Sequence, residues 1–143
     1  MRLITLIALA SSFISYSATA GSGKAIIPHW DTWTAGTYIY LSNITSHPIQ
    51  VNVTFYGENG EKIAPTTYHN INNNILAPRS SGFVSTEMFN LGDERRGFGV
   101  IQWTNVENDD DTVALVAHGD RVTKAEENAR SDLSIPINNG MPF

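Results

Sequence analysis

Alternation of apolar and polar side chains is the sequence feature that most restricts the fold of this chain. Residues 49–55 place Ile49, Val51, Val53 and Phe55 at every second position, with polar side chains between them. A period of two is typical of a β-strand that is buried on one face. Similar stretches, rich in β-branched and aromatic residues, cover residues 24–30, 37–44, 97–104 and 112–122. The sequence therefore predicts an all-β fold, an antiparallel β-sandwich of about seven short strands.

Turn residues between these stretches indicate how the strands connect. Asn59-Gly60 is a strong hairpin signal and predicts a type I′ turn that leads into a short return strand through Lys62 and Ile63. The stretch at residues 37–44 is apolar on both faces, which predicts a central strand. Residues 66–71 are expected to be extended, and residues 85–91 to form one helical turn.

The first twenty residues have the three parts of a signal peptide. Arg2 provides a positive start, residues 3–10 form an apolar run, and Ala18-Thr19-Ala20 offers the small side chains that a signal peptidase requires. The apolar run is too short for a membrane-spanning helix. The chain has no cysteine, which excludes attachment of a lipid at the cleavage site. We therefore expect cleavage after Ala20 and a periplasmic or extracellular product that is not inserted in a membrane.

The remaining chain is expected to form one domain with an acidic surface. Residues 21–123 are assigned to the β-sandwich and residues 124–143 to an irregular C-terminal tail, because the tail mixes a charged stretch with proline and asparagine. Loss of Arg2 changes the formal net charge from −5 to −6. The basic residues are scattered, which argues against nucleic acid as a partner, since phosphate binding needs clustered lysine and arginine.

Several short segments, taken in order, resemble the family of small bacterial β-sandwich proteins typified by the sensory rhodopsin transducer, and related secreted β-sandwich modules. The resemblance implies a compact sandwich with non-enzymatic, interaction-type work and a tendency to form homo-oligomers. The transducer is cytosolic whereas this chain has the features of an exported protein, so neither a phototransduction role nor any binding residue is carried over. The matching segments are Ile26-Ile27-Pro28-His29-Trp30, Tyr40-Leu41-Ser42-Asn43, Val51-Asn52-Val53-Thr54-Phe55-Tyr56, Leu76-Ala77-Pro78-Arg79-Ser80 and Val116-Ala117-His118-Gly119-Asp120-Arg121.

One group of aromatic residues is the candidate ligand site. Trp30 and Trp33 place two indoles around Asp31, and aromatic faces beside an acidic hydrogen-bond acceptor are typical of sugar-binding surfaces. Tyr38, Tyr40 and Tyr56 could extend this surface or simply pack. The alternative interpretation is that Trp30 fills the core while Asp31 belongs to a turn, because large aromatic side chains are mainly core residues.

No motif for catalysis or for metal binding stands out. Three adjacent carboxylates at residues 109–111 lack the alternate spacing that directs ligands towards calcium. His118 and Asp120 should share one strand face, with His29 near them if the first and last strands pair, but a zinc site needs three or four ligands. The chain has no nucleophile elbow. We expect no catalytic residue, no metal and no cofactor.

The tail carries the candidate residues for self-assembly. The segment around Ile135 and Ile137, followed by the terminal Phe143, is extended and apolar, and such a segment can add to the sheet edge of a neighbouring subunit. Alternatively, the segment folds back and covers its own domain. The two interpretations remain open at this point.

These observations predict a secreted or periplasmic, non-enzymatic β-sandwich that acts by binding or by self-assembly. Its expected partner is a protein or a saccharide ligand, or further copies of itself. Two alternative functions are a carbohydrate-binding accessory module that uses Trp30 and Trp33, and a small hydrolase. The hydrolase would require a cleft that brings His29, His118, Asp120 or Asp31 into mutual contact.

Overall fold

The computed structural model describes residues 21–32, 35–87, 95–107, 109–125 and 128–143 of this protein. Two antiparallel sheets pack against each other, which confirms the predicted all-β sandwich. No helix among the described residues has the length and apolar character needed to cross a membrane. In chain order, the strands are β1 (Ser22–Asp31), β2 (Ala35–Asn43), β3 (Ile49–Gly57), β4 (Lys62–Ile63), β5 (Thr67–His69), β6 (Ile75–Leu76), β7 (Ser81–Glu87), β8 (Arg96–Asn105), β9 (Leu115–Ala125) and β10 (Asn128–Pro136), followed by the 3₁₀ turn η1 (Asn138–Gly140).

The first sheet has the order β1-β8-β3-β4, and β6 also pairs with β3. The second sheet has the order β10-β9-β2-β7-β5. Strand β2 lies between β9 and β7, as its two apolar faces predicted. Strand β1 pairs with β8 and strand β10 pairs with β9, so the first and last strands are hydrogen-bonded in different sheets.

The core lies between the inward faces of the two sheets. Along β3 the buried and exposed positions follow the alternation read from the sequence, with Ile49, Val51 and Phe55 inside and Gln50 and Asn52 outside. Burial of such apolar surface is the main driving force for folding, at roughly 25 cal/mol per Å². The largest fully buried side chains are Trp30, Trp103, Phe55, Ile27, Ile39, Leu41, Ile49, Leu76, Ile101, Leu115, Ile137 and Val84.

The β3–β4 hairpin forms at Asn59-Gly60, but the turn differs from the predicted type I′. Gly60 has φ of 80°, whereas Asn59 does not have a positive φ. The amide of Gly60 donates to the carbonyl of Gly57 at 3.0 Å, and the amide of Gly57 donates to the carbonyl of Glu61 at 3.0 Å. This is a three-residue loop with glycine in the left-handed position at its end, the next most common hairpin solution.

The last twenty residues were expected to be an irregular tail, and this expectation is wrong for most of them. Strand β10 pairs with β9 through a register that ends at Pro136 and His118. Ile135 is 3 % exposed and Ile137 is 1 % exposed, so both belong to the core of their own domain. Phe143 packs against the same core. The three residues proposed for assembly therefore cover their own sandwich.

The backbone of Phe143 fixes the end of the chain to both sheets. Its carbonyl accepts hydrogen bonds from the amides of Ala114 and Leu115 at 3.1 and 3.0 Å and from Nε1 of Trp103 at 2.7 Å. Its own amide donates to the carbonyl of Leu115 at 2.9 Å. Of the helical turn predicted at residues 85–91, the first three residues belong to β7 and the others lie outside the described residues.

Candidate functional site

Trp30 is a core residue. Its side chain is fully buried, and Nε1 donates to the carbonyls of Tyr56 and Phe98 at 3.1 and 3.0 Å. Its ring packs against Phe55 with 5.3 Å between centroids. The indole has no face available to a ligand, which corrects its assignment to a binding surface in favour of the core interpretation. Trp33, its expected partner, lies outside the described residues.

Asp31 joins the two sheets at one end of the sandwich. Its carboxylate accepts hydrogen bonds from Nε of Arg121 on β9 at 3.0 and 3.1 Å, and it lies 3.2 Å from Nε2 of His29. The backbone of Asp31 also bonds to the hydroxyl of Thr37 on β2. Because Arg121 occupies its carboxylate, Asp31 has the environment of a structural residue and not the environment of a residue that contacts a ligand.

Tyr40 belongs to a row of rings on the outward face of the second sheet. Cross-strand pairs place His118 of β9, Tyr40 of β2, Phe83 of β7 and His69 of β5 side by side. We call these four residues the outer aromatic row. Neighbouring strands in a sheet are about 4.8 Å apart, so the row extends for about 14 Å.

The rings of the outer aromatic row contact one another directly. His118 stacks on Tyr40 with 4.9 Å between centroids and 14° between planes, and His69 stacks on Phe83 with 4.9 Å and 16°. Tyr40 and Phe83 meet at 5.8 Å and 56°. Because stacked neighbours cover each other's faces, the row presents mostly ring edges to solvent. His69 and His118 are exposed, and Tyr40 and Phe83 are half-buried.

Tyr38 lies one step along the strands from the outer aromatic row. Its ring packs against Phe83 at 5.6 Å, and its hydroxyl donates to Oε1 of Glu87 at 2.6 Å. Burial and the hydrogen bond to Glu87 raise the pKa of Tyr38 to about 12. Tyr38 therefore remains a neutral donor at any physiological pH and holds the Glu87 carboxylate beside the rings.

Negative charge borders the outer aromatic row. Asp120 is the cross-strand neighbour of Tyr38, and Glu87 is the cross-strand neighbour of Gly36. Within the described part of the chain, the carboxylate of Asp120 has no hydrogen-bond or ion-pair partner. Among the described side chains, two carboxylates, those of Asp120 and Glu87, therefore lie beside the outer aromatic row. The combination of ring edges with acceptors suits a contact that is partly apolar and partly cationic.

The other sequence candidates do not assemble into a metal or catalytic centre in the described residues. His118 and Asp120 share the outward face of β9, as expected, but His29 bonds to Asp31 on β1. No group of three or more histidine, cysteine, aspartate or glutamate side chains that could hold a metal ion occurs in this part of the chain. The side chains named for a hydrolase are distributed over two sheets.

Phe83 and His69 were missed by the sequence reasoning. Phe83 was not singled out among the aromatic candidates, and His69 lies in a three-residue strand with little pattern of its own. The signal that could have found them is the register of β7, which pairs Phe83 with both Tyr40 and His69. Alternation shows which residues share a face of one strand, but not which strands are neighbours.

Comparison with models of known protein families, with curated proteins and with solved structures found no match. The resemblance to the transducer family stays a prediction.

Proposed function

We propose that this chain is an exported, non-enzymatic binding domain that contacts its partner through the outer aromatic row. The observation that supports this proposal most directly is the continuous set of rings across four strands on an outward sheet face. Aromatic side chains are enriched where proteins bind one another, because they offer a large, rigid contact area. The proposal includes cleavage after Ala20 and a periplasmic or extracellular location.

The edges of the two sheets favour a contact through a face. Strand β1 contains Pro28 and a register shift between Ile27 and Trp30, and β10 ends with Pro136 after a shift between Ser131 and Leu133. Strands β4 and β5 at the opposite edges are two and three residues long. Prolines, bulges and short edge strands are features that hinder the addition of a further strand.

The charges around the outer aromatic row favour a basic protein segment as the partner. Asp120 and Glu87 lie beside the rings, and the whole chain has a formal net charge of −5. Lysine and arginine have long aliphatic stems that pack on apolar surface while their charged ends reach acceptors. An extended segment with such side chains would place the stems on the ring edges and a cationic end near Asp120.

The carbohydrate-binding alternative has less support. It relied on Trp30 and Trp33, and the indole of Trp30 is in the core. The candidate residues Tyr38 and Tyr40 do lie at the outward face, but the stacking of His118 on Tyr40 leaves less free ring surface for a sugar.

The proposal is tested with protein that begins at Gly21 and two labelled peptides, one alternating arginine with valine and one alternating glutamate with valine. We expect the arginine peptide to bind and the glutamate peptide not to bind, as measured by fluorescence anisotropy. Replacing both Tyr40 and Phe83 with serine should weaken binding at least about tenfold, the usual effect of removing central aromatic contacts. Asp120→Asn should weaken binding less and reduce its sensitivity to salt.

The matched control is the stacked pair Tyr56 and Phe98 on the outward face of the first sheet, with 4.9 Å between centroids. The serine variant of that pair should bind the arginine peptide as the parent protein does. Equal binding by both peptides, or binding that survives loss of Tyr40 and Phe83, would reject the proposal. A glycan-array response that depends on Tyr40 and Phe83 would replace the basic segment with a saccharide.

A further inference from the structure

The outward face of the first sheet carries an exposed apolar patch. Cross-strand pairs place Ile26 of β1 beside Val100 of β8, and Phe98 of β8 beside Tyr56 of β3. Val100 and Phe98 are two residues apart on one strand and share its outward face, so the four side chains are contiguous. Ile26 is 49 % exposed and Phe98 is 43 % exposed. We call these four residues the first-sheet patch. Contiguous exposed apolar side chains are typical of interaction surfaces.

The charges that border the first-sheet patch are positive. Lys24 precedes the patch on β1, and Lys62 of β4 is the cross-strand neighbour of Tyr56. Both lysines are exposed. Strands β3, β4 and β8 contain no aspartate or glutamate, and neither does β1 before its register shift. Glu58, which follows β3, is paired with Arg96, with 2.7 Å between Oε1 and Nε.

The two outward faces of the sandwich are therefore complementary in charge and similar in apolar character. Asp120 and Glu87 border the outer aromatic row on the second sheet, whereas Lys24 and Lys62 border the first-sheet patch. The outer aromatic row calls for a partner that is partly apolar and partly cationic. The first-sheet patch meets this description, and every copy of the chain carries it.

We propose that copies of this chain stack face to face, with the outer aromatic row of one copy on the first-sheet patch of the next. The inference rests on the proposed function, because it identifies the basic partner of the outer aromatic row as a second copy. The two faces lie on opposite sides of one sandwich, so a contact between two copies leaves one free face on each. A heterologous contact of this kind generates an open chain of copies unless its rotation closes a ring.

Charge argues against a contact between two like faces. Two first-sheet patches in contact would bring the lysines of both copies together, and two outer aromatic rows would bring together both copies of Asp120. Like charges across an interface cost free energy and suppress the wrong pairing. A contact between unlike faces places lysines opposite carboxylates.

The size of the first-sheet face predicts weak association. Four strands about 4.8 Å apart and about 30 Å long cover at most about 600 Å², which is below the roughly 800 Å² per partner of a standard stable interface. Stacking should therefore depend on protein concentration and reverse on dilution.

Light scattering and sedimentation velocity of protein that begins at Gly21 test the inference, over about 5–500 µM because weak interfaces associate in this range. We expect the average mass to rise with concentration without a fixed upper size, and to fall as salt is added. The arginine peptide should dissociate the chains, because it occupies the outer aromatic row. A monomer at every concentration would overturn the inference, and binding of the arginine peptide by that monomer would leave the proposed function intact.

Two variants test which faces meet. Tyr56→Ser with Phe98→Ser removes the rings of the first-sheet patch, and Tyr40→Ser with Phe83→Ser removes the central rings of the outer aromatic row. Each variant alone should be monomeric. An equimolar mixture should form a dimer and nothing larger, because each variant supplies the face that the other lacks and the outer faces are both defective. Association of either variant alone, or failure of the mixture to associate, would reject the contact between unlike faces.

A third variant keeps every ring and tests the charges. Lys24→Gln with Lys62→Gln should weaken stacking about threefold to tenfold, the range for exposed ion pairs, and should reduce its sensitivity to salt. The matched control is Tyr68→Ser, which removes a ring that is 47 % exposed on β5. Tyr68 pairs with the core residue Val84 and so does not belong to the outward face. Unchanged stacking in the lysine variant, or an equal loss in Tyr68→Ser, would contradict the assigned surface.

Discussion

Asn43 shows how one buried polar side chain can organise an end of the sandwich. Its Nδ2 donates to the carbonyls of His47, Leu76 and Ala77 at 2.8, 3.2 and 3.0 Å. Its Oδ1 accepts from the amide and the hydroxyl of Thr45. Asn43 is 2 % exposed, so these bonds replace water almost completely. The side chain links the end of β2 to the following loop and to the chain that follows β6.

Replacement of Asn43 should therefore destabilise the fold strongly. Asn43→Ala removes a donor from the carbonyls of His47, Leu76 and Ala77 and the acceptor of the buried Thr45 amide and hydroxyl, and each buried group left without a partner costs about 1–3 kcal/mol. We expect a loss of about 3 kcal/mol in the free energy of unfolding, measured by urea denaturation. The control is Asn52→Ala, at an exposed position of β3, which should change stability by less than about 0.5 kcal/mol. A loss as small as that of the control would contradict the role assigned to Asn43.

The sequence predicted the environment of some residues but not of others. The burial of Trp30 was among the stated alternatives, because its size favours the core. The ion pair of Asp31 with Arg121 was not foreseen, since those residues are far apart in the chain and meet only through sheet packing. The aromatic contacts of Tyr40 were likewise hidden until the neighbours of β2 were known. Local pattern determines burial well but does not determine long-range contacts.

At the scale of elements, alternation predicted the longer strands and failed where composition was misleading. Residues 124–130 contain good helix formers and charges, yet Asn128–Pro136 forms β10 and pairs with β9. Antiparallel pairing to a preceding strand outweighs the weak local preference of such a segment. Asn59-Gly60 located the hairpin correctly, but the twist of the strands can be matched by more than one loop, so the sequence did not determine the turn type.

Two loops at one end of the sandwich are joined by His47. The β2–β3 loop carries His47, and the β8–β9 loop carries Asp109 and Asp111, which lie 3.7 and 2.9 Å from its two ring nitrogens. The hydrogen bond with Asp111 raises the pKa of His47 above its ordinary value of 6.5, and the charges of Asp109, Asp111 and Asp110 act in the same direction. The protonated form of His47 is thus favoured in the folded protein.

This contact predicts a specific pH dependence. A raised pKa in the folded state means that the stabilisation is fully present below the unfolded value of about 6.5 and is lost as the pH rises through the folded pKa. Urea midpoints measured from pH 5.5 to 8.5 should fall with rising pH in that window. His47→Gln and Asp111→Asn should flatten the fall, whereas His118→Gln on the outer aromatic row should retain it. An unchanged slope in His47→Gln would show that another group is responsible.

For the molecule as a whole, stability depends on closing the sandwich without disulfides, since the chain has no cysteine. The C-terminal segment contributes to this closure at three levels. Strand β10 completes the edge of the second sheet, Ile137 enters the core, and Phe143 bonds to Leu115 of the second sheet and Trp103 of the first. The segment first considered for assembly is thus part of the core.

Removal of residues 137–143 should consequently destabilise the domain rather than alter its assembly. The deletion loses the buried side chain of Ile137, which costs about 2–5 kcal/mol, and leaves the indole N–H of Trp103 unpaired, which costs about 1–3 kcal/mol more. A total near 5 kcal/mol is a large part of the 5–15 kcal/mol typical of a folded domain.

Urea denaturation followed by tryptophan fluorescence measures the loss, and Trp103→Phe isolates the contribution of the hydrogen bond. Met141→Ser, at a residue that is 63 % exposed, serves as the control and should change little. If the shortened chain kept its stability within about 1 kcal/mol and changed only its oligomeric state in light scattering, the segment would be an assembly element and its place in the core would carry little energy.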